Sequence, residues 1–399
     1  MKYSNRVSSM QASPIRKLVP IAQEAKDKGI KVYHLNIGQP DIKTPKGFFD
    51  AVKNFDSEVL EYAVSQGIPE LISALQDYYK TYDMHFGKDE LLVTNGGSEA
   101  LLFTMMAICD PGDNILVPEP FYTNYNGFGQ SVNIEVNPIT TKAENGFHLP
   151  SKEEIVSRIN DKTRAILLSN PGNPTGAIYT TEELHMIAEI AKENDLWIVS
   201  DEVYREFVYD GLEYTSFGNI KEVEDRVIII DSVSKRYSAC GARIGSIASK
   251  NKGLIAEILK LCQGRLCVPT LEQIGAVALY KTPASYFKEV NEEYRHRRDV
   301  LYNELMKVEG VICEKPTGAF YIVAKLPVEN AEDFVIWMLK EFSKDNETVM
   351  VTPAEGFYAT PGLGRDEVRL AYILNEKDLH KAAVLLKEGL EQYLALPKA

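Results

Sequence analysis

The sequence lacks the features that mark several classes of protein. No apolar run approaches the roughly 18 residues that would indicate a transmembrane helix, and the first residues lack the apolar core of a signal peptide. No internal repeat or low-complexity linker is present. Five cysteines are scattered without Cys-x-x-Cys pairs, which is not typical of a disulfide framework or a structural zinc site. We therefore expect a cytoplasmic protein with no membrane partner and no bound metal.

A basic excess and several common catalytic motifs are also missing. The chain has 44 Lys and Arg against 57 Asp and Glu, a net charge of −13. This balance argues against a nucleic-acid partner, because binding the phosphate backbone needs a basic face. None of the six histidines lies in a nucleophile or base motif, and no HExxH, Walker A or GxGxxG sequence occurs. Hydrolysis by a Ser-His-Asp triad is therefore poorly supported.

The segment that ends at Lys235 is the most informative part of the sequence. Residues 227–230 are Val-Ile-Ile-Ile, which predicts a strand buried on both faces, as in parallel sheets covered by helices. The chain then becomes polar, with Ser232 and Ser234 before Lys235. Burying a lysine charge is costly, so an isolated lysine here would be interpreted as a surface residue. We favour a functional role because other strands end in a similar way.

Polar residues follow two further predicted strands. The strand at 164–169 leads into Asn170-Pro-Gly-Asn173, and the strand at 196–200 leads into Asp201 and Tyr204. Ligands of open α/β sheets bind at the carboxyl ends of the parallel strands. Each residue alone is compatible with a turn, a cap or packing, but together they predict one cleft.

Two further features indicate anion binding. A strand at 91–94 runs into Gly96-Gly97-Ser98 and a helix, whose free N–H groups and Ser98 hydroxyl would suit an anion, although an ordinary capped helix has the same pattern. Arg369 lies in an apolar strand and needs a carboxylate partner, either from the protein or from a substrate.

The pattern of elements predicts an α/β fold. Strands alternate with helices up to about residue 284, which indicates a mostly parallel mixed sheet flanked by helices. Long helical patterns with a few strands follow and indicate a second, smaller α+β domain. We expect an N-terminal arm with part of the small domain at 1–44, a large cofactor-binding domain at 45–284 and a small C-terminal domain at 285–399.

These motifs carry a family resemblance. Asn170 to Gly176, Asp201-Glu-Val-Tyr204 and Ser-x-Ser-Lys235 followed by Arg243 match in order and spacing, and Gly96-Gly-Ser98 and Arg369 complete the set. The chain resembles the class I pyridoxal-phosphate-dependent aminotransferases, of the aspartate aminotransferase fold, from about residue 35 to residue 372. The resemblance implies pyridoxal 5′-phosphate as cofactor, amino-acid and 2-oxo-acid substrates, a smaller domain built from both termini, and a homodimer with shared active sites.

The resemblance also implies a role for each matching residue. Lys235 would bond to the cofactor aldehyde and later carry the substrate Cα proton, Asp201 would face the pyridine nitrogen, and Asn173 and Tyr204 would hydrogen-bond the ring oxygen. The residues expected to bind the rest of the cofactor are Gly97, Ser98, Ser232 and Arg243 at the phosphate, Tyr122 stacked on the ring, and Tyr62 reaching the phosphate of the neighbouring subunit. Gly38, Asn173 and Arg369 would bind substrate, with Arg369 clamping its α-carboxylate.

The sequence departs from the family pattern in one place and leaves the substrate open. Residues 240–243, Cys-Gly-Ala-Arg, lack the Thr-Gly-Trp that often precedes this arginine, so we expect altered packing with the phosphate contact kept. Arg265 lies about two positions from where one subgroup supplies an arginine for a distal carboxylate, and a structural role is at least as compatible with its position.

Aspartate with 2-oxoglutarate is the leading substrate pair, in a ping-pong reaction. Alanine, aromatic amino acids and prephenate are alternatives, as is a lyase or synthase on the same fold. A regulatory protein using this fold would need a DNA-binding domain, for which the first ~35 residues leave no room.

Overall fold

The computed structural model describes residues 1–397, so the last two residues of the predicted C-terminal domain lie outside the described part. The strands are β1 Lys31–His34, β2 Leu91–Thr94, β3 Asn114–Glu119, β4 Glu135–Thr140, β5 Thr163–Ser169, β6 Trp197–Asp201, β7 Val227–Ser232, β8 Gly245–Ala248, β9 Tyr321–Lys325, β10 Glu347–Met350, β11 Thr352–Pro353 and β12 Glu367–Ala371. The α-helices are α1 Asn5–Ser8, α2 Val19–Asp27, α3 Lys46–Lys53, α4 Pro69–Lys80, α5 Gly96–Ile108, α6 Asn124–Ser131, α7 Lys152–Val156, α8 Thr181–Glu193, α9 Lys252–Arg265, α10 Thr270–Leu279, α11 Ala284–Leu305, α12 Ala331–Lys340 and α13 Glu376–Leu394. Over residues 1–397, no helix combines the length and apolarity needed to span a membrane.

A mixed sheet of seven strands forms the centre of the molecule. Its order is β2-β8-β7-β6-β5-β3-β4, and only β8 runs antiparallel to its neighbours. Every residue of β7 is buried, as the run of isoleucines predicts for a strand covered on both faces. The predicted α/β class with a mostly parallel sheet is confirmed.

The second group of strands joins the two ends of the chain. β9, β11 and β12 form an antiparallel sheet, and β1 pairs in parallel with β10. Residues from both ends therefore share one apolar core, in which Tyr33 of β1 is buried together with Leu386 of α13. This arrangement agrees with a smaller α+β unit built from both termini.

The strand register brings the expected polar residues to one edge of the central sheet. Ser169 at the end of β5 pairs with Asp201 at the end of β6, and Asp201 in turn pairs with Ile230 near the end of β7. The loops that carry Asn173, Tyr204 and Lys235 start from this edge.

Candidate active site

A cavity of about 480 Å³ lies at the carboxyl ends of β5, β6 and β7. The predicted site residues that line it are Gly38, Gly97, Ser98, Tyr122, Asn173, Asp201, Tyr204, Ser232, Lys235, Arg243 and Arg369. Segments far apart in the sequence thus converge on one site. Tyr62 and Arg265 do not line this cavity of their own chain.

Lys235 reaches into the cavity from the loop after β7. Its side chain is half-buried, and Nζ donates a hydrogen bond to the backbone oxygen of Gly38 at 2.9 Å. A Cβ at position 38 would lie 1.8 Å from the Tyr321 hydroxyl, so only glycine lets this backbone approach so closely. Gly38, which is predicted to bind substrate, is therefore in contact with the lysine.

Asp201 provides a buried carboxylate at the end of β6. It accepts hydrogen bonds from the Tyr125 hydroxyl at 2.7 Å and from the backbone N–H of Val203 at 3.4 Å. Among residues 1–397 no cationic side chain forms an ion pair with it, and burial raises the pKa of the Asp201 carboxyl to about 6. A buried carboxylate without a cation is a good partner for a protonated ring nitrogen.

The raised pKa of Asp201 makes the stability of the cofactor-free protein depend on pH. Because the pKa is higher in the folded than in the unfolded chain, the stabilisation by the protonated carboxyl is complete below pH ~4 and is lost as the pH rises through about 6. Between pH 5 and pH 8 the unfolding free energy of the wild type should therefore fall by about 1 kcal/mol more than that of Asp201→Asn, which has no carboxyl at this position. Urea titration of the cofactor-free proteins measures this difference. The exposed Asp110→Asn serves as the control, and a pH-independent difference for Asp201→Asn would contradict the argument.

Arg369 is a buried arginine with no carboxylate partner in the described part of the chain. Its side chain is buried, with 1% of the residue exposed. Nη2 donates a hydrogen bond to the backbone oxygen of Asn36 at 2.6 Å, and Nη1 donates one to Oδ1 of Asn173 at 3.3 Å. Nε has no hydrogen-bond partner within the described residues. The guanidinium lies 4.7 Å from the ring centre of Tyr321 and 4.9 Å from that of Phe357. Burial lowers the pKa of Arg369. Of the two partners that the sequence leaves open, a carboxylate of the protein is excluded within residues 1–397, which leaves a ligand carboxylate.

Tyr204 lies beside Arg369 and belongs to the same polar group. Its hydroxyl forms a 2.8 Å hydrogen bond with that of Tyr321, and its ring is buried. Tyr122, on the wall of the cavity, has a pKa raised to about 12, chiefly by burial, and accepts a hydrogen bond from Asn124 Nδ2 at 2.7 Å. Both tyrosines are therefore neutral hydrogen-bonding groups at physiological pH.

The start of α5 forms the other end of the cavity. Gly96 has φ of +75°, and a Cβ there would lie 2.5 Å from Nη2 of Arg243. Arg243 is held by a hydrogen bond from Nη1 to the Cys240 backbone oxygen at 3.1 Å. Helix N–H groups, Ser98, Ser232 and this guanidinium together suit a phosphate. In the part of the chain that the structure describes, no three His, Cys, Asp or Glu side chains are grouped so that they could hold a metal ion.

Two predicted site residues lie elsewhere. Tyr62 is 81% exposed in the loop between α3 and α4. Arg265, at the end of α9, forms an ion pair with Glu99 of α5, with Nε 3.3 Å from the carboxylate oxygen, and donates to the Val93 backbone oxygen. Within its own chain Arg265 therefore connects α9 to α5.

The cavity also contains residues that sequence reasoning missed. These are Ser13, Ile15, Arg16, Ile37, Gln39, Leu101, Asn124, Ser169, Val203, Ser234, Cys240 and Tyr321. Tyr125, which bonds Asp201, and Asn36, which bonds Arg369, were missed as well. Tyr125 lies three residues after the predicted Tyr122, so the sequence offered a signal from which it could have been predicted. For Tyr321 and Arg16 the sequence offers no local signal.

The chain is similar to known proteins along nearly its whole length. Residues 30–386 match the family described as aminotransferase class I and II. The chain belongs to this family. The aminotransferase is 30% identical to the aspartate aminotransferase of Bacillus subtilis, over 98% of this chain and 100% of the relative. It is 33% identical to the probable aspartate/prephenate aminotransferase of Aquifex aeolicus, over 98% of each chain. The alanine aminotransferase of Pyrococcus furiosus has a similar structure, with a TM-score of 0.89, 32% identity, and coverage of 98% of this chain and 100% of that one.

Proposed function

We propose that this aminotransferase moves an amino group between an L-amino acid, with aspartate as the leading donor, and a 2-oxo acid such as 2-oxoglutarate. The observation that carries the proposal is Arg369, a buried arginine in the same cavity as Lys235 with no carboxylate partner among residues 1–397. An amino acid and an oxo acid both offer the carboxylate that Arg369 lacks. Relatives named for aspartate support the choice of donor, and the neighbour named for alanine keeps alanine as the alternative.

The residues of the cavity fit pyridoxal 5′-phosphate. Gly97, Ser98, Ser232 and Arg243 would hold the phosphate at the start of α5. Gly96 supports this fit, because its lack of a side chain leaves room for the Arg243 guanidinium against the helix start. At the other end of the cavity, Asp201 is a buried carboxylate that no cation of the described chain neutralises, and a protonated ring nitrogen would do so.

When bound, the cofactor supplies a ring that accepts the electron pair left when the substrate Cα–H bond breaks. The charge of Asp201 keeps a proton on the ring nitrogen and so favours that acceptance. Asn173 and Tyr204 would hydrogen-bond the ring oxygen, and Tyr122 would stack on the ring face.

Lys235 would act as the proton carrier. Its Nζ projects into the cavity and is held by the Gly38 oxygen, so a proton taken from the substrate Cα can be held at Nζ and delivered to a neighbouring carbon. Arg369 orients the substrate by binding its α-carboxylate through two parallel N–H groups. Holding the carboxylate would restrict how the substrate can turn and so help to present its Cα–H bond to Nζ.

A single half-reaction tests the proposed function. An amino acid added to the cofactor-loaded protein without any oxo acid should release its oxo acid in an amount equal to the number of sites, with no free ammonia. A lyase on the same fold would instead release pyruvate and ammonia continuously. Continuous ammonia release, or no oxo acid from any member of an amino-acid panel, would contradict amino transfer.

We also propose that the protein is a homodimer with shared active sites. Tyr62 is exposed together with Val59, Leu60 and Val64, an apolar group that a second copy of the chain would cover. Tyr62 would then reach the phosphate site of the partner subunit. Analytical ultracentrifugation measures the mass, and a fully active monomer would contradict the proposal.

We propose a cytoplasmic location as well, which the five free cysteines support. We also propose that the domains span residues 1–44, 45–284 and 285–399.

A further inference from the structure

The charges that line the active-site cavity are unequal in number. Among the residues that the structure describes, one carboxylate lines it, that of Asp201, against four cationic side chains, those of Arg16, Lys235, Arg243 and Arg369. The proposed function assigns Arg243 to the cofactor phosphate, Arg369 to the substrate α-carboxylate and Lys235 to proton transfer. Arg16 has no role in that assignment.

Arg16 lies on a short segment that is anchored on both sides. On one side, the Asn36 side chain donates through Nδ2 to the backbone oxygen of Ile15 at 3.2 Å. On the other side, Lys17 forms a 2.6 Å ion pair with Glu332 at the start of α12. The segment also makes a turn of its own, in which the N–H groups of Arg16 and Lys17 both donate to the Ser13 oxygen. Arg16 is therefore held at the cavity and is not on a free tail.

One residue connects this segment to the substrate arginine. The backbone oxygen of Asn36 accepts from Arg369 Nη2 at 2.6 Å, while the side chain of the same asparagine holds Ile15. Ile15, the residue before Arg16, is thus connected through Asn36 to Arg369, which would bind the α-carboxylate. A substrate clamped by Arg369 would have its distal end near this segment.

The Arg16 side chain forms no ion pair or hydrogen bond with any residue of the described chain, whereas its neighbour Lys17 is paired. The exposed guanidinium is available to a ligand that enters the cavity. Arg265, the other candidate, is paired with Glu99 and does not line the cavity of its own chain.

We infer that Arg16 binds the distal carboxylate of dicarboxylic substrates and so determines the preference for them over alanine. This inference rests on the proposed amino transfer, which puts the α-carboxylate on Arg369. The second carboxylate then meets Arg16, the one cation of the cavity whose side chain has no partner within residues 1–397. A charged hydrogen bond of this kind contributes mainly when the substrate carries the second carboxylate, so its effect is on specificity and not on the chemical step.

The test compares substrates on the cofactor-loaded enzyme. Arg16→Gln should lower kcat/KM for aspartate and for glutamate by about 10- to 100-fold, the value expected for losing a charged hydrogen bond. The loss with alanine should stay below about threefold. Succinate, a dicarboxylate that cannot react, should bind more weakly to the variant, while propionate binding should change little. Arg16→Lys, which keeps the charge but not the fork, should have an intermediate effect.

Arg6→Gln is the matched control, because it makes the same replacement at an exposed N-terminal arginine that does not line the cavity, and it should not alter the ratio of aspartate to alanine activity. Equal losses for aspartate and alanine in Arg16→Gln, or no loss, would overturn the inference while leaving amino transfer intact. A wild-type enzyme that prefers alanine, or a selective loss of dicarboxylate activity in Arg265→Gln alone, would overturn it as well. Failure of the wild-type half-reaction with every amino acid would instead refute the proposed function.

Discussion

Lys235→Ala is expected to abolish amino transfer, with kcat lowered by about 10⁴-fold. The variant loses the amine that carries the Cα proton, and no other amine or imidazole lines the cavity within the described residues. Folding should be affected little, since the side chain is half-buried and its one hydrogen bond is to the Gly38 oxygen. Cofactor should still bind, because the groups proposed to hold the phosphate and the ring nitrogen are unchanged.

Two measurements separate this role from a structural one. Cofactor binding, followed by absorbance, should persist in Lys235→Ala but without the spectrum of a lysine adduct, and a small primary amine in solution should restore part of the activity. Lys260→Ala, which removes an exposed lysine from α9, should behave like wild type. Near-normal turnover by Lys235→Ala would refute the assignment.

Most of the fold could be predicted because its signals are local. The isoleucines of β7 predict a buried strand, and the structure has it. The spacing of Thr180 and Glu183 is that of a capping box, another pattern within a few residues, and the structure forms this box at the start of α8. The cavity could also be predicted, because parallel strands must end at a common edge. The family motifs predicted Asn173, Asp201 and Arg243 as site residues, and all three line the cavity.

The missed residues depend on contacts between distant segments. Tyr321 meets Tyr204 across 117 residues, and Asn36 meets Arg369 across 333. Arg16 lies at the cavity on a segment that Asn36 holds at Ile15 and that Glu332 holds at Lys17. None of these contacts leaves a periodic pattern, since each depends on how β1, β9 and β12 pack against the central sheet. A family resemblance identifies residues that lie in sequence motifs, whereas contacts between distant segments are seen only in the three-dimensional structure.

Arg369→Lys is expected to lower kcat/KM by about 10²-fold for every amino acid, including alanine, because the α-carboxylate is common to all of them. The guanidinium donates to Asn36 and Asn173, and the ring centres of Tyr321 and Phe357 lie 4.7 and 4.9 Å from it. A lysine ammonium offers no planar fork and would leave the Asn36 oxygen, the Asn173 oxygen or the substrate without a donor. The loss should therefore appear in KM as well as in kcat, since both binding and orientation depend on the fork.

The uniform loss distinguishes Arg369 from Arg16. If the two arginines divide the carboxylates of a dicarboxylic substrate, Arg369→Lys lowers aspartate and alanine activity alike, whereas Arg16→Gln lowers aspartate activity selectively. Arg365→Lys, the same replacement at an exposed position four residues earlier, is the control and should leave all substrates unaffected. A selective loss of aspartate activity in Arg369→Lys would reverse the two assignments, because it would mean that the buried arginine binds the distal carboxylate.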